Sequence, residues 1–110
     1  MKKPEKSVDN FLRTWKKKDF SEMENFIQKT WLAGTQLMSL DIFKNLDVRS
    51  WKIQKSVKIG EACKDVIVNV TFKQNGKRKL NIRTLCEIAP YTPDLSGDWG
   101  VNPVSVMRRL

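Results

Sequence analysis

The side chains with which this chain could do chemistry are lysines and cysteines, because its 110 residues include no histidine. Histidine is the usual general base and the commonest metal ligand, and without it no Ser-His or Cys-His nucleophile pair can form. Two lysine ammonium groups could instead bind an acidic ligand, and a lysine beside a cysteine could lower the pKa of that thiol. Lys55, Lys64 and Cys86 are the candidates for this chemistry, provided that the fold brings them together.

The predicted ligand-binding site comprises Lys55, Lys64, Thr84 and Cys86, with Trp51 in the same lining. These residues occupy inward positions on three predicted strands, where they would form a patch at one end of a concave sheet face. Such a patch would suit a small acidic or apolar ligand. The alternative interpretation is that both lysines lay their aliphatic stems on apolar surface and keep their ammonium groups in water. No catalytic residue, metal site or cofactor is predicted.

Two of these strands form a predicted hairpin over residues 62–88. The Asn75-Gly76 dipeptide between two alternating apolar segments is the strongest short-range signal for such a turn. We predict a loop of residues 74–76 with Gly76 in the left-handed position, because this choice brings apolar residues opposite one another. The predicted pairs are Val70 with Leu80, Val68 with Ile82, and Val66 with Thr84.

A third strand precedes the hairpin, because apolar and polar residues alternate from Ser50 to Ile59. A two-residue Gly60-Glu61 turn is predicted to join this strand to the hairpin. The predicted pairs across it are again apolar: Ile59 with Ala62, Ile53 with Val68, and Trp51 with Val70. The two turns therefore agree on one shared apolar face of an antiparallel meander.

The first third of the chain predicts a pair of helices. Pro4 suits a first helical position, and apolar residues recur at helical spacing from Val8 to Trp15. A second helix is predicted to begin at Ser21 or at Asp19, each of which has a glutamate three residues later, with Ser21 preferred. Gly34 is the predicted end of this second helix.

A short third helix is expected before the sheet. Ser39 could cap a single turn that carries Leu40, Phe43 and Leu46. Residues 1–110 are thus predicted to form one α+β domain. In this domain an N-terminal helix pair and a short third helix pack against a curved antiparallel β-meander, in a cone-like roll.

The residues from Pro4 to Trp31, which include Lys16-Lys17-Lys18 and Asp19-Phe20, resemble the opening helix pair of the nuclear transport factor 2-like superfamily. That superfamily has a cystatin-like α+β cone. Trp51-Lys52-Ile53 and Gly97-Asp98-Trp99-Gly100-Val101 also resemble segments of its small bacterial members, so the likeness covers nearly the whole chain. The superfamily includes ketosteroid isomerases, polyketide cyclases, dehydratases, transport adaptors and secretion-system scaffolds, and the fold alone therefore does not choose a function.

We predict a non-catalytic binding or assembly domain. Enzymes of this superfamily usually carry an Asp, His or Tyr inside the cone, whereas the predicted inward strand positions carry no carboxylate. Members often dimerise through the outer sheet surface, where Ile67 and Leu85 lie beside Asn69 and Arg83. These four residues are the predicted homodimer interface, although singly exposed apolar residues are also ordinary. The alternative is an enzyme of the isomerase, cyclase or dehydratase type that uses the concave pocket.

The net charge of +9 favours acidic partners. Basic runs at residues 16–18, 77–79 and 108–109 could follow a phosphate backbone, which makes a binder of nucleic acid or of an anionic surface a further alternative. We do not favour it, because the aromatic residues are predicted to lie in the core and leave no stacking platform for bases.

Apolar segments and cysteines in the sequence indicate the cellular compartment of the protein. No segment approaches the ~20 apolar residues of a membrane span, and the N-terminus lacks an apolar signal core. Cys63 and Cys86 should project from opposite sheet faces, so no disulfide between them is predicted. Two free thiols fit a cytoplasmic location, the alternative being an exported domain whose signal or anchor has been removed.

Overall fold

The computed structural model, which describes residues 3–34 and 40–110, has the α+β architecture that the sequence predicts. Its strands are β1 (Val48–Gly60), β2 (Cys63–Phe72), β3 (Gly76–Ala89), β4 (Thr92–Pro93) and β5 (Asp98–Val101). Its helices are α1 (Pro4–Lys17), α2 (Phe20–Met23), α3 (Lys29–Gly34) and α4 (Pro103–Met107). The strands pair antiparallel in the order β1-β2-β3-β4, and β5 also lies beside β3.

Helix α1 packs on the concave face of the sheet. It begins at Pro4, where the missing N–H would have no helical partner. It ends at Lys18, which has a left-handed φ of 61° and donates its N–H to the carbonyl of Trp15. The side chains that face the sheet are fully buried: Val8, Phe11, Leu12 and Trp15. Burial of each contributes about 1.5–3 kcal/mol, so this apolar stripe holds α1 in place.

The predicted second helix is interrupted. Asp19, rather than Ser21, caps α2 by accepting a hydrogen bond from the main-chain N–H three residues on. A 3₁₀ turn (Glu24–Phe26) then leads to Ile27, which is extended and forms a bridge to Val101 of β5. The N–H that follows Ile27 donates to the carbonyl of Val101 at 2.9 Å. This pairing with a distant strand overrides the helical pattern, and α3 starts afresh after it.

The helical elements after α1 are short. A 3₁₀ helix (Leu40–Asn45) takes the place of the predicted third helix, and it carries the fully buried Phe43. The predicted cap, Ser39, lies outside the described residues. In the part of the chain that the structure describes, no helix has the length and apolar character needed to cross a membrane.

The β2–β3 hairpin has the predicted faces, but its pairing is displaced by two residues. Val68 faces Leu80 instead of Ile82, and the other predicted pairs move in the same way. Gly76, with a φ of 70°, pairs with Phe72 and closes the loop one residue earlier than predicted. Because side chains alternate with a period of two, this displacement leaves the valines of β2 and Leu80 and Ile82 of β3 on the concave face, as predicted. Ile88, which is also predicted to face inward, is instead 49% exposed at the end of β3.

Strand β1 keeps the predicted register only in its first half. The pairs that Trp51 and Ile53 make with β2 are as predicted. A bulge between Ile53 and Lys55 then inverts the alternation, so Lys55 pairs with Ile67 on the outer face. The turn into β2 consequently moves to residues 61–62. In the second half of β1, Lys55 and Val57 therefore lie on the outer face of the sheet, although the sequence predicts that they face inward.

Candidate functional site

The structure assembles only part of the predicted concave patch. The ammonium group of Lys64 lies over the ring of Trp99, 5.6 Å from its centroid. The buried hydroxyl of Thr84 donates to the main-chain carbonyl of Lys64 at 2.8 Å. The placement of Lys55 in this patch is wrong, because the bulge turns its side chain to the outer face. Lys58 pairs with Lys64 in its place.

Polar groups of α1 meet the edge of the concave face. The indole N–H of Trp51, a predicted ligand contact, donates to the carboxylate of Asp9 at 2.9 Å. Burial raises the pKa of Asp9, but hydrogen bonds from Arg13 and Trp51 outweigh it and bring that pKa below its usual value. A hydrogen bond from Ser56 is the main cause of the lowered pKa of Glu5. Trp51 therefore fastens β1 to α1.

Aromatic side chains fill the interior of the concave face. Trp15 is fully buried, and its ring centroid lies 4.8 Å from that of Phe43 and 5.3 Å from that of Phe72. Its indole N–H donates to the carbonyl of Phe43 at 2.7 Å. Phe11 completes the cluster, with its ring 6.2 Å from that of Trp15. The space between α1 and the central strands is thus occupied by the protein's own side chains.

Cys86 is a buried thiol that donates a hydrogen bond to the carbonyl of Gly97 at 3.2 Å. Its burial raises its pKa, which is the opposite of the lowering predicted from a neighbouring lysine. Burial also raises the pKa of Cys63. Both cysteines are free, as predicted. Within residues 3–34 and 40–110, no group of three or more His, Cys, Asp or Glu side chains is placed to hold a metal ion.

These environments predict different thiol reactivities. Cys86 in the native protein should react with a disulfide reagent at least about 100-fold more slowly than Cys63, because its sulfur is fully buried whereas Cys63 is only partly buried. Stopped-flow thiol titration of Cys63→Ser and Cys86→Ser separates the two rates, and the urea-unfolded proteins, in which both thiols should react alike, are the control. A native Cys86 that reacts as fast as an unfolded thiol would restore the enzyme alternative.

The outer face of the sheet, the side that points away from α1, carries an apolar centre. Ile67 and Leu85 lie there, as the alternation predicts, and both are partly buried. The bulge adds Val57, whose pairing places it on this face and which is 39% exposed. Ile59, at the second irregularity of β1, is 50% exposed beside the turn. We call these four residues the apolar centre.

An ion pair with unequal burial lies within the apolar centre, in the row of residues between Ile67 and Leu85. Arg83 donates from Nε to Asp65 at 2.9 Å and from Nη2 at 3.2 Å. The Asp65 side chain is 9% exposed, whereas that of Arg83 is 50% exposed. The hydrogen bonds to Asp65 raise the pKa of Arg83. Arg83, a predicted interface residue, is therefore held in a fixed orientation by a buried carboxylate.

Lysines surround the remaining side of the outer face. Asn69, another predicted interface residue, pairs with Lys52 on β1 and with Lys79 on β3. Lys55 and Lys77 extend the same surface, and all four lysines are exposed. We call them the cationic rim. A partner that covers the apolar centre must also accommodate this positive charge.

Sequence reasoning missed half of the apolar centre. Val57 and Ile59 fit the predicted alternation of β1 and were therefore expected to face the core. The bulge that exposes them lies at a polar residue with no distinctive local signal. The exposure of two β-branched apolar residues on an edge strand could be recognised only from the structure.

Comparison of the chain with protein-family models, with curated proteins and with solved structures finds no match in any of the three. The resemblance to the nuclear transport factor 2-like superfamily stays a prediction.

Proposed function

We propose that the chain is a non-catalytic assembly domain that forms a homodimer through its outer face. The single observation that supports this most is the apolar centre, in which the bulge of β1 adds Val57 and Ile59 to Ile67 and Leu85. These four apolar side chains share one sheet face around the Asp65–Arg83 ion pair, and apolar groups beside groups that can hydrogen-bond are what a protein interface uses. The resemblance to a superfamily whose members often pair through this face supports the same proposal.

The position of these residues suits a symmetric interface. A two-fold axis brings the same patch of two copies together, so an apolar centre covers itself without needing a second, different surface. Asn69 borders the centre and Arg83 lies within it, and both supply hydrogen-bonding groups to the interface. The packed interior of the cone argues in the same direction, because Trp15 and its aromatic neighbours leave the outer face as the better binding surface.

The cationic rim makes this dimer dependent on salt. In a symmetric pair, lysines of one copy approach lysines of the other, and their repulsion is strongest when few ions screen it. We therefore expect the dissociation constant to fall by about tenfold between ~50 mM and ~500 mM NaCl. Multi-angle light scattering across a concentration series measures this, and the dimer mass is twice the 12.8 kDa of one chain.

Single substitutions should separate this proposal from non-specific association. Ile67→Asp and Val57→Asp each place a charge in the apolar centre and should weaken the dimer at least about 100-fold. Leu95→Asp, at a loop residue that is 54% exposed, is the matched control and should leave the mass unchanged. Circular dichroism verifies that each variant is folded. A wild-type chain that stays monomeric at millimolar concentration and high salt would overturn the proposal.

We propose a reducing, cytoplasmic location for the assembled protein. The support is that Cys63 and Cys86 are both free thiols and that disulfides are rare in such a compartment.

A further inference from the structure

A cavity of about 240 Å³ lies between the outer face of the sheet and α4. Six of its lining residues bear on its chemistry: Asp65, Asn81, Arg83, Ser105, Arg108 and Arg109. Three arginines and a single aspartate are therefore among the residues that line the cavity. Neither the predicted concave patch nor the apolar centre contains this site.

Hydrogen bonds fix α4 against β3 and so define the walls of the cavity. The side chain of Asn102 caps α4 by accepting from the N–H of Val104 at 3.0 Å. The main-chain N–H of Asn102 donates to the carbonyl of Arg83 at 2.8 Å. The N–H of Arg83 in turn donates to the hydroxyl of Ser105 at 3.0 Å. These bonds hold Arg108 at a fixed distance from β3, because it follows α4 directly.

The charge in the cavity favours an anion. Asp65 engages Nε and Nη2 of Arg83, which orients the guanidinium and leaves further N–H groups of Arg83 free to donate. Arg108 and Arg109 form no ion pair with any of residues 3–34 and 40–110. Arginine is suited to carboxylates and phosphates, because its planar fork can donate two parallel hydrogen bonds to either group.

Asn81 adds a second requirement. Its Oδ1 atom is buried and accepts no hydrogen bond from the described residues. Buried acceptors in proteins nearly always have a donor. A simple anion without hydrogens would satisfy the arginines but not this amide oxygen, so the ligand that fits must also carry a donor.

We propose that this cavity binds a small anion in which a phosphate or carboxylate group lies next to a hydroxyl or amino donor. The anionic group contacts Arg83, Arg108 and Arg109, and the donor contacts Oδ1 of Asn81. Ser105 belongs to the wall formed by α4, where its hydroxyl donates to the carbonyl of Asn102 and accepts from the N–H of Arg83. This site shares Arg83 with the proposed homodimer interface, but none of the four residues of the apolar centre lines it.

The test is a titration of the ¹⁵N-labelled full chain, followed by NMR, with two matched pairs of probes. Glycerol 3-phosphate and methyl phosphate are compared at about pH 8, where both are dianions and only the first carries a hydroxyl donor. Glycolate and acetate form the corresponding carboxylate pair. Sodium chloride at equal ionic strength is the blank. We expect saturable shifts at the side-chain amide of Asn81 and at the main-chain N–H groups of Val104 and Ser105.

The member of each pair that has a hydroxyl should bind at least about fivefold more tightly than the member that lacks it. Tighter binding of glycerol 3-phosphate than of glycolate identifies a phosphate ligand, and the reverse order identifies a carboxylate. The proposal fails if the shifts follow chloride at the same ionic strength. It also fails if neither hydroxyl-bearing probe binds more tightly than its partner.

Variants localise the site. Arg108→Gln combined with Arg109→Gln should weaken binding at least about tenfold. Lys16→Gln combined with Lys17→Gln removes the same charge from the exposed end of α1, and it should change the affinity less than about twofold. Asn81→Leu should abolish the preference for the hydroxyl-bearing probe while both probes still bind. Equal weakening by the arginine and lysine pairs would show a general charge effect and overturn the proposal.

Discussion

Gly97→Ala should lower the free energy of unfolding by about 3 kcal/mol or more, which makes it the most damaging glycine-to-alanine substitution in the chain. A Cβ at this position would lie 2.3 Å from the carbonyl carbon of Glu87 and 2.4 Å from its oxygen. Both of these atoms belong to the main chain of β3, so no rotation of a side chain can relieve the overlap. The β4–β5 loop must therefore move away from β3. Urea unfolding followed by circular dichroism measures the loss.

Two other glycines provide matched controls for this substitution. Gly76→Ala meets no atom within 4 Å but must hold a φ of 70°, and it should lose about 1 kcal/mol. Gly60→Ala, whose nearest neighbour is the Cβ of Cys63 at 3.9 Å, should be close to wild type. Gly97→Ala should also raise the reaction rate of the Cys86 thiol, which is bonded to the Gly97 carbonyl. A loss below about 1 kcal/mol for Gly97→Ala would contradict the close approach.

This close approach matters because several segments meet at the end of β3. The Glu87 side chain is buried, and its carboxylate accepts hydrogen bonds from the N–H and the hydroxyl of Thr30 at the start of α3. The N–H of Tyr91 donates to the same hydroxyl at 2.9 Å. Gly97 thus allows the β4–β5 loop to pack directly on a residue that anchors α3. Loss of this packing should loosen α3 and β5 together.

The faces of the hairpin could be predicted from the sequence, whereas its pairing could not. Alternation of Val66, Val68 and Val70 fixes which side of β2 is buried, and the structure confirms that side. A register displaced by two residues preserves the same alternation, so pattern alone cannot distinguish the two. The position of the loop determines which of the two registers forms. Gly76 supplies the expected left-handed conformation, but as the residue that pairs with Phe72.

The errors in the candidate site have long-range causes. The bulge after Ile53 moves Lys55 out of the concave patch and Val57 onto the outer face, and nothing in the local sequence marks it. Ile27 leaves its helical pattern because it pairs with Val101, more than 70 residues later. The arginine-lined cavity likewise depends on α4 docking beside β3. Such contacts between distant segments are not encoded in the spacing of neighbouring residues.

Trp15→Ala should lose about 4–5 kcal/mol of the free energy of unfolding, close to the upper end of what removal of one buried side chain causes. Trp15 is fully buried among the rings of Phe11, Phe43 and Phe72, and its removal would leave a cavity that the surrounding rings cannot fill. It would also deprive the carbonyls of Phe43 and Leu46 of the indole N–H, which lies 2.7 Å and 3.1 Å from them. Loss of the donor to the buried carbonyl of Phe43 adds to the destabilisation, whereas the carbonyl of Leu46 keeps the ammonium group of Lys18 at 3.3 Å.

Trp51→Ala is the matched control, since it removes the same side chain from the edge of the same concave face. Trp51 is only partly buried, and its indole N–H is bonded to the partly buried carboxylate of Asp9 in α1, so we expect a loss of about 1–2 kcal/mol. Urea unfolding followed by far-ultraviolet circular dichroism compares the two without relying on tryptophan fluorescence. If the cone were open enough to hold a ligand beside Trp15, the two losses would be similar. A difference of about 3 kcal/mol means that the space around Trp15 is closed by the protein's own core.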